Sequence, residues 1–189
     1  DGNEIDNDGD TYTECDGDCD DLNPDIHPFA LDHTEDGIDN DCDGIADDDT
    51  FGTFDVGRDH GCQIRGGGDV VCWGRDDEGQ ATPPVGNFTW VTCGKYVSCA
   101  VAGDGSVECW GLDDTGQATP PALDTFVQVT CGYHHCCGLH TDGSAQCWGS
   151  NLVGEGNVPN ETFVEIWAGH YFTCGRNTID EIHCWGGTD

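Results

Sequence analysis

Cys-Trp-Gly occurs four times in this chain, at residues 72–74, 109–111, 147–149 and 184–186. Ten positions before the cysteine of each copy stands another, at Cys62, Cys99, Cys137 and Cys174, and the period is 37 or 38 residues. Self-similarity at this spacing marks tandem supersecondary units that bury their apolar faces only against one another. The second part of the chain therefore reads as a repeat array.

Each unit opens on a β-prone stretch: Thr53–Gly57, Phe88–Val91, Phe126–Val129 and Phe163–Ile166. Gly57, Gly94, Gly132 and Gly169 follow at matching places. Next come a strand from the first cysteine, a short turn, and a strand ending in Cys-Trp-Gly. A three-residue hairpin loop wants glycine at its left-handed end, which Gly105 and Gly143 supply. Asp180 holds that place in the fourth unit, so its turn is expected to differ.

This register sets the paired cysteines opposite each other on adjacent antiparallel strands, where Cα atoms lie about 4.5–5.5 Å apart and within disulfide reach. It predicts Cys62–Cys72, Cys99–Cys109, Cys137–Cys147 and Cys174–Cys184. Each closes a short loop and should contribute about 2–3 kcal/mol. Zinc is disfavoured, since no Cys-x-x-Cys pair exists. Cys93 and Cys131 occupy the same place in successive units and are expected to pair between neighbours, which leaves Cys136 with Cys15.

After Cys-Trp-Gly the first two units continue Gly79-Gln80-Ala81-Thr82-Pro83-Pro84 and Gly116-Gln117-Ala118-Thr119-Pro120-Pro121, and the third runs Gly154-Glu155-Gly156-Asn157-Val158-Pro159. With the Cys-Trp-Gly period, this pattern resembles the regulator of chromosome condensation repeat in a secreted, disulfide-bonded bacterial form. The linker also resembles that of the propeller-type β-lactamase inhibitory protein. The resemblance spans about 140 residues and all four units. It implies a mainly β fold, a β-propeller-type array with one blade per unit, at about 51–86, 87–122, 123–160 and 161–189. It also implies that Trp73, Trp110, Trp148 and Trp185 pack blade to blade. The family usually closes with seven blades, and four are present here. Either the chain is an excerpt of a longer protein or other chains cover the two open edges, which repeat arrays normally cap. Exposed sheet edges invite strand addition, so association with protein partners or with itself through blade edges is expected, up to an extracellular fibre.

The first 50 residues differ chemically. They hold 20 of the 38 carboxylates and no Lys or Arg, while all six Trp lie after them, which sets a boundary near Asp49–Phe51. Two Asp-x-Asp-x-Asp ladders run through this region, Asp6-Asp8-Asp10 and Asp39-Asp41-Asp43. A tight loop folds such a ladder around one point and offers a hard cation an all-oxygen shell. By analogy with a twelve-residue calcium loop, the backbone carbonyls of Tyr12 and Ile45 and the carboxylates of Glu14 and Asp47 follow. Asp18, Asp20 and Asp21 are placed to complete the first site. Position twelve is Gly17 or Thr50 rather than Glu, so neither loop is an EF-hand. The loops are expected to bind about two calcium ions.

The spacing Asp-Cys-Asp-Asp…Asp-Asn-Asp-Cys-Asp-Gly resembles a secreted bacterial metal-binding repeat, loosely akin to thrombospondin type-3 and dockerin calcium loops. That family usually has a further cysteine where Glu35 stands, and the resemblance leaves Cys19–Cys42 as the pair. Copper is the rival metal, because some relatives of that repeat are associated with it, and His27 and His33 lie between the loops.

The net charge of −33 excludes nucleic acid, whose phosphates need Lys and Arg to displace counterions. Fourteen regularly spaced cysteines indicate an oxidising compartment, extracellular or at the cell surface. No apolar run approaches the roughly 20 residues of a membrane span, and the absence of methionine suggests a processed or excerpted segment. No nucleophile elbow, phosphate loop, dinucleotide fingerprint or zinc-protease motif occurs, so no enzyme is expected. His60, His134, His135 and His170 fall near the first turns of their units and read as loop residues. Sequons at Asn87 and Asn160 lie between blades, where glycans would be exposed. The chain reads as a secreted, calcium-stabilised, disulfide-stapled structural or interaction module. The rivals are a propeller-type inhibitor or ligand binder and a copper-scavenging surface protein.

Overall fold

The structure is a computed structural model that describes residues 6–9, 13, 19–20, 22–27, 38–40, 42, 53–65 and 68–187. The chain divides into two compact units, Asp1–Phe51 with Arg65–Gly67, and Gly52–Ile64 with Gly68–Asp189.

The second unit consists of four three-stranded antiparallel sheets, one per repeat and each paired in sequence order. Blade 1 holds β1 (Phe54–Val56), β2 (His60–Ile64) and β3 (Val70–Gly74). Blade 2 holds β4 (Phe88–Cys93), β5 (Val97–Ala102) and β6 (Val107–Gly111). Blade 3 holds β7 (Gln128–Cys131), β8 (His135–Leu139) and β9 (Ala145–Gly149). Blade 4 holds β10 (Phe163–Ala168), β11 (Phe172–Asn177) and β12 (Ile182–Gly186).

The core lies between blades rather than within them. Ile64 and Val70 of blade 1 cluster with Phe88, Val91 and Trp110 of blade 2. Val97 and Val101 of blade 2 meet Phe126, Val129 and Cys136 of blade 3. Leu139 of blade 3 meets Phe163, Ile166 and Trp185 of blade 4. The middle strands β5 and β8 therefore lack the alternation of a one-sided sheet, and β8 is buried along its whole length.

Hairpin geometry follows the repeat. Gly105 and Gly143 take φ of +85° and +84°, and their N–H groups close the turns onto Ala102 and His140. Asp180 corrects the expectation of a different fourth turn. It takes φ +63° in the same place, and its N–H closes onto Asn177. Aspartate tolerates the left-handed region better than most residues, and Arg176 donates to its carboxylate at 2.7 Å.

Gly57, Gly94, Gly132 and Gly169 line up where successive blades approach most closely. A Cβ on the first three would stand 2.1, 2.4 and 2.4 Å from the carbonyl oxygen of the next glycine. Side chains are excluded there by backbone proximity, and the amides of Arg58 and Lys95 donate to the Gly94 and Gly132 carbonyls at 3.3 and 3.1 Å.

Each blade carries a cystine between directly opposed residues: Cys62–Cys72, Cys99–Cys109, Cys137–Cys147 and Cys174–Cys184, with Cα separations of 4.1, 4.0, 3.9 and 4.0 Å. The expected Cys93–Cys131 bridge does not form. Cys131 bonds Cys136, which faces it across the β7–β8 turn at a Cα distance of 4.1 Å. A partner five residues away on the adjoining strand prevails over one in the next blade. Cys136 is therefore not left for Cys15, which lies outside the described residues. The corresponding pair in blade 2 is Cys93 and Ser98, so Cys93 stays a buried thiol.

In the first unit, Cys19–Cys42 forms a disulfide with a Cα separation of 5.7 Å. Around it, the amides of Leu22 and Asn23 donate to the Asp20 carbonyl, and His27 donates to that of Asn40 at 3.0 Å. Ile26 and Asn40 are buried there.

Candidate functional site

Among the described residues, the recurrent joint between blades is the geometry that repeats from unit to unit. The linker after each Cys-Trp-Gly turns back on itself. Asp76 accepts from the Ala81 amide and the Thr82 hydroxyl at 2.8 and 2.7 Å, and Asp113 repeats this with Ala118 and Thr119. These bonds, the Thr82 hydroxyl first and the Ala81 amide second, hold the Asp76 carboxyl below the usual range. The loop buries Gln80, Gln117 and Glu155. Their side-chain oxygens accept from the amides of Glu78, Thr115 and Val153.

The backbone carbonyls of these three residues then point at the next blade. Trp110 Nε1 donates to Gln80 at 2.9 Å, Trp148 to Gln117 at 3.0 Å and Trp185 to Glu155 at 2.9 Å. A buried indole N–H needs such an acceptor. A second bond crosses two of the joints: His60 Nε2 meets the Ser98 hydroxyl at 2.8 Å, and His135 Nε2 meets that of Thr173 at 2.9 Å. At the middle joint, apolar Val97 and Cys136 occupy these positions and pack together instead. His60 and His135 are thus structural rather than loop residues. Burial lowers the pKa of His60 and brings that of His135 down to about 4.

Blade 1 presents the same surface with no described residue packed against it. Trp73 is 50% exposed, and its indole N–H has no acceptor among the described residues; Phe54 and Val56 of β1 are 69% and 64% exposed. At the other end of the array, Ile179, Ile182 and Trp167 of blade 4 are also exposed. The tryptophans were expected between blades. The Gln/Glu carbonyl was not foreseen, although one polar residue after glycine in three linkers was the available signal.

At the end of the blades where the first turns gather, the side chains are cationic and aromatic. Lys95 Nζ lies 4.6 Å from the Tyr96 ring centre and 4.4 Å from that of Tyr133. Tyr133 in turn packs on His170, with ring centres 3.5 Å apart. His134 lies 3.7 Å from Asp114 beside a groove of about 520 Å³ that Leu152, Val153 and Tyr171 also line.

Two clusters bring potential metal ligands within 4.8 Å of one another: His60, Cys62 and Cys93, and Cys99, Cys131 and Cys136. Every cysteine in them except Cys93 is in a cystine and offers no thiolate. Burial, reinforced by the charge of Asp55, pushes the Cys93 thiol up to about 12. Neither cluster is a metal site while the disulfides stand.

Of the expected metal ligands, Asp6, Asp8, Asp20 and Asp39 fall within the described residues; Asp10, Tyr12, Glu14, Asp18, Asp21, Asp41, Asp43, Ile45 and Asp47 lie outside them. Asp6 Oδ1 accepts from the Gly9 amide at 2.5 Å, and Gly9 takes φ +88°, so residues 6–9 form a tight turn. The Cys19–Cys42 bridge ties the segment bearing Asp20 to the one bearing Asp39. Carboxylate and carbonyl oxygens in tight loops suit a hard divalent cation. Asn87 and Asn160 are both exposed in inter-blade loops. Among the described residues no helix is long and apolar enough to cross a membrane.

Comparison with known proteins agrees with both halves. The Regulator of chromosome condensation (RCC1) repeat matches residues 126–155, and the metal-binding motif described as Cu-binding MopE matches residues 18–48. No curated protein matches the sequence. Among solved structures, the ectodomain of the Physcomitrella patens receptor kinase CR4 is 28% identical, with a TM-score of 0.63 over 70% of this chain and 38% of that one. The CRINKLY WD40 ectodomain of the Arabidopsis thaliana receptor kinase ACR4 is also 28% identical, with a TM-score of 0.61 over 71% of this chain and 50% of that one. Prp20p from Saccharomyces cerevisiae, described with binding properties to Gsp1p and histones, is 16% identical, with a TM-score of 0.63 over 71% and 44%. The chain thus spans half or less of the length of these proteins. Its second unit is built of RCC1-like propeller repeats, and its first carries a metal-binding motif.

Proposed function

We propose that this chain is a secreted structural and interaction module, without catalytic function, that engages proteins through the open faces of its blades. The observation that carries this reading is the blade joint. It is made three times by the same tryptophan-to-carbonyl bond, and on blade 1 the same surface stands exposed, with its Trp73 donor unmet among the described residues. An apolar sheet face with an unpaired indole favours a partner offering a carbonyl beside an apolar wall, as the blades offer one another. Head-to-tail contact between copies would set this face against the exposed Ile179 and Ile182 of blade 4, and contacts of this kind close into rings or extend into filaments.

In this reading the acidic unit is a connector stiffened by about two calcium ions, held by the two aspartate ladders with Glu14, Asp47 and the carbonyls of Tyr12 and Ile45. The twenty carboxylates of residues 1–50, a segment with no Lys or Arg of its own, repel one another unless divalent cations neutralise them. Calcium is favoured over copper because the ladders supply oxygen rather than imidazole. The cystines fit an extracellular setting, in which the sequons at Asn87 and Asn160 are open to glycosylation.

The test is light scattering of the full chain in calcium over a range of concentrations. Mass should rise with concentration and return to that of a monomer in Trp73→Ala and in Val56→Asp. A monomer at every concentration, or association untouched by both substitutions, would refute the role of the blade-1 face.

A further inference from the structure

A groove of about 280 Å³ runs where the first strands of the four blades end, lined by Val56, Cys93, Cys131 and Ala168 with the four aligned glycines. Its polar lining is Arg58, Lys95, Tyr133 and His170, and among the described residues no carboxylate lines it. That is unexpected on composition, because the chain has 38 carboxylates against five Lys and Arg. Two of those five cations face this one groove.

Lys95 is the informative residue. Arg58, Arg75 and Arg176 each hold a carboxylate. Lys95 holds none among the described residues, and its ammonium is fixed between the rings of Tyr96 and Tyr133. In a molecule of such negative charge, a half-buried ammonium should gather a carboxylate of its own chain. The ring contacts stabilise its charge without neutralising it. Arg58 meets Asp59 at 3.6 Å through Nε alone, which leaves its terminal nitrogens available to a second acceptor. Asp59 is shared with Arg75, which also holds Asp77.

We propose that this groove binds a single aspartate or glutamate carboxylate presented by a protein partner. The site is independent of the blade-1 face, so either can fail alone. A monoanion fits better than a phosphate, because the surrounding field penalises a dianion more heavily. A side chain fits better than a sugar ring. The Tyr133 ring is already engaged by Lys95 and His170, and the Tyr96 ring by Lys95 and Arg75. Recognition therefore falls to charge rather than to stacking.

The test is fluorescence anisotropy of a labelled peptide bearing one glutamate among uncharged residues, with the full chain at low salt and with inorganic phosphate and a galacturonate oligosaccharide as competitors. The peptide should bind saturably and weaken as salt rises. Losing one charge-assisted bond in Lys95→Ala should cost about tenfold or more in affinity, and Lys95→Arg should restore most of it. Near-ultraviolet circular dichroism verifies that the variants are folded; if Lys95→Ala is not, Lys95→Gln and Arg58→Gln take its place. Absence of peptide binding, or binding undiminished in Lys95→Glu, would overturn the proposal. So would displacement by phosphate or galacturonate at far lower concentration than by free peptide.

Discussion

Ser98 explains the one free thiol among the described residues. It occupies in blade 2 the place that Cys136 holds in blade 3, opposite Cys93 as Cys136 is opposite Cys131. The substitution Ser98→Cys should therefore let Cys93 form a disulfide with the thiol introduced opposite it, and reduce by one the thiols titrated in denaturant; an unchanged count would contradict this register. The variant also removes the hydroxyl that His60 uses, so its net effect on stability should be small. His135 makes a second residue-scale prediction. Its folded pKa of about 4 lies below the ordinary histidine value of 6.5, because burial outweighs the opposing charge of Glu155 and His134 adds to the lowering. Between those values the unfolded chain binds the extra proton, so stability is full above pH 6.5 and falls as the pH drops toward 4. The loss attributable to this residue is about 3 kcal/mol. Urea midpoints should decline over that window, and His135→Gln should remove much of the decline. A pH-independent midpoint in the parent chain would contradict it.

The blade is a three-stranded sheet whose stability comes from its neighbours. The spacing of cysteines ten residues apart exposed the hairpins in the sequence because register within a hairpin is a short-range property. The Cys131–Cys136 bridge was equally local, five residues across a tight turn, but comparing Cys93 with Cys131 between units obscured it. The Trp–carbonyl joint was not legible, since it depends on how a linker folds back rather than on any pairing of residue types. It should be separable from packing by Trp148→Phe, which keeps an aromatic ring and deletes the bond to Gln117. Losing that bond should cost about 1 kcal/mol plus the lost ring volume, read from chemical denaturation. Gly132→Ala should be far more damaging, because its Cβ would meet the Gly169 carbonyl at 2.4 Å and force blades 3 and 4 apart.

At the scale of the molecule, two chemistries share one chain. The acidic unit was legible from its ladders, since few other uses require Asp at alternate positions with glycine and cysteine between them. The cation-lined groove was not: Arg58, Lys95, Tyr133 and His170 each follow the aligned glycine of their unit, but only the packed blades bring that column to one groove. If the ladders bind calcium only when folded, saturating the unit at a hundredfold excess over Kd adds about 2.7 kcal/mol. A chelator should lower its calorimetric melting while leaving the blades' transition in place; a scan unchanged by EDTA would contradict the metal assignment. Association through the blade faces is tested by electron micrographs of the full chain in calcium at rising concentration. Head-to-tail rings or filaments that vanish in Trp73→Ala are the expected result. Isolated arcs at every concentration, in the parent chain as in the variant, would contradict it.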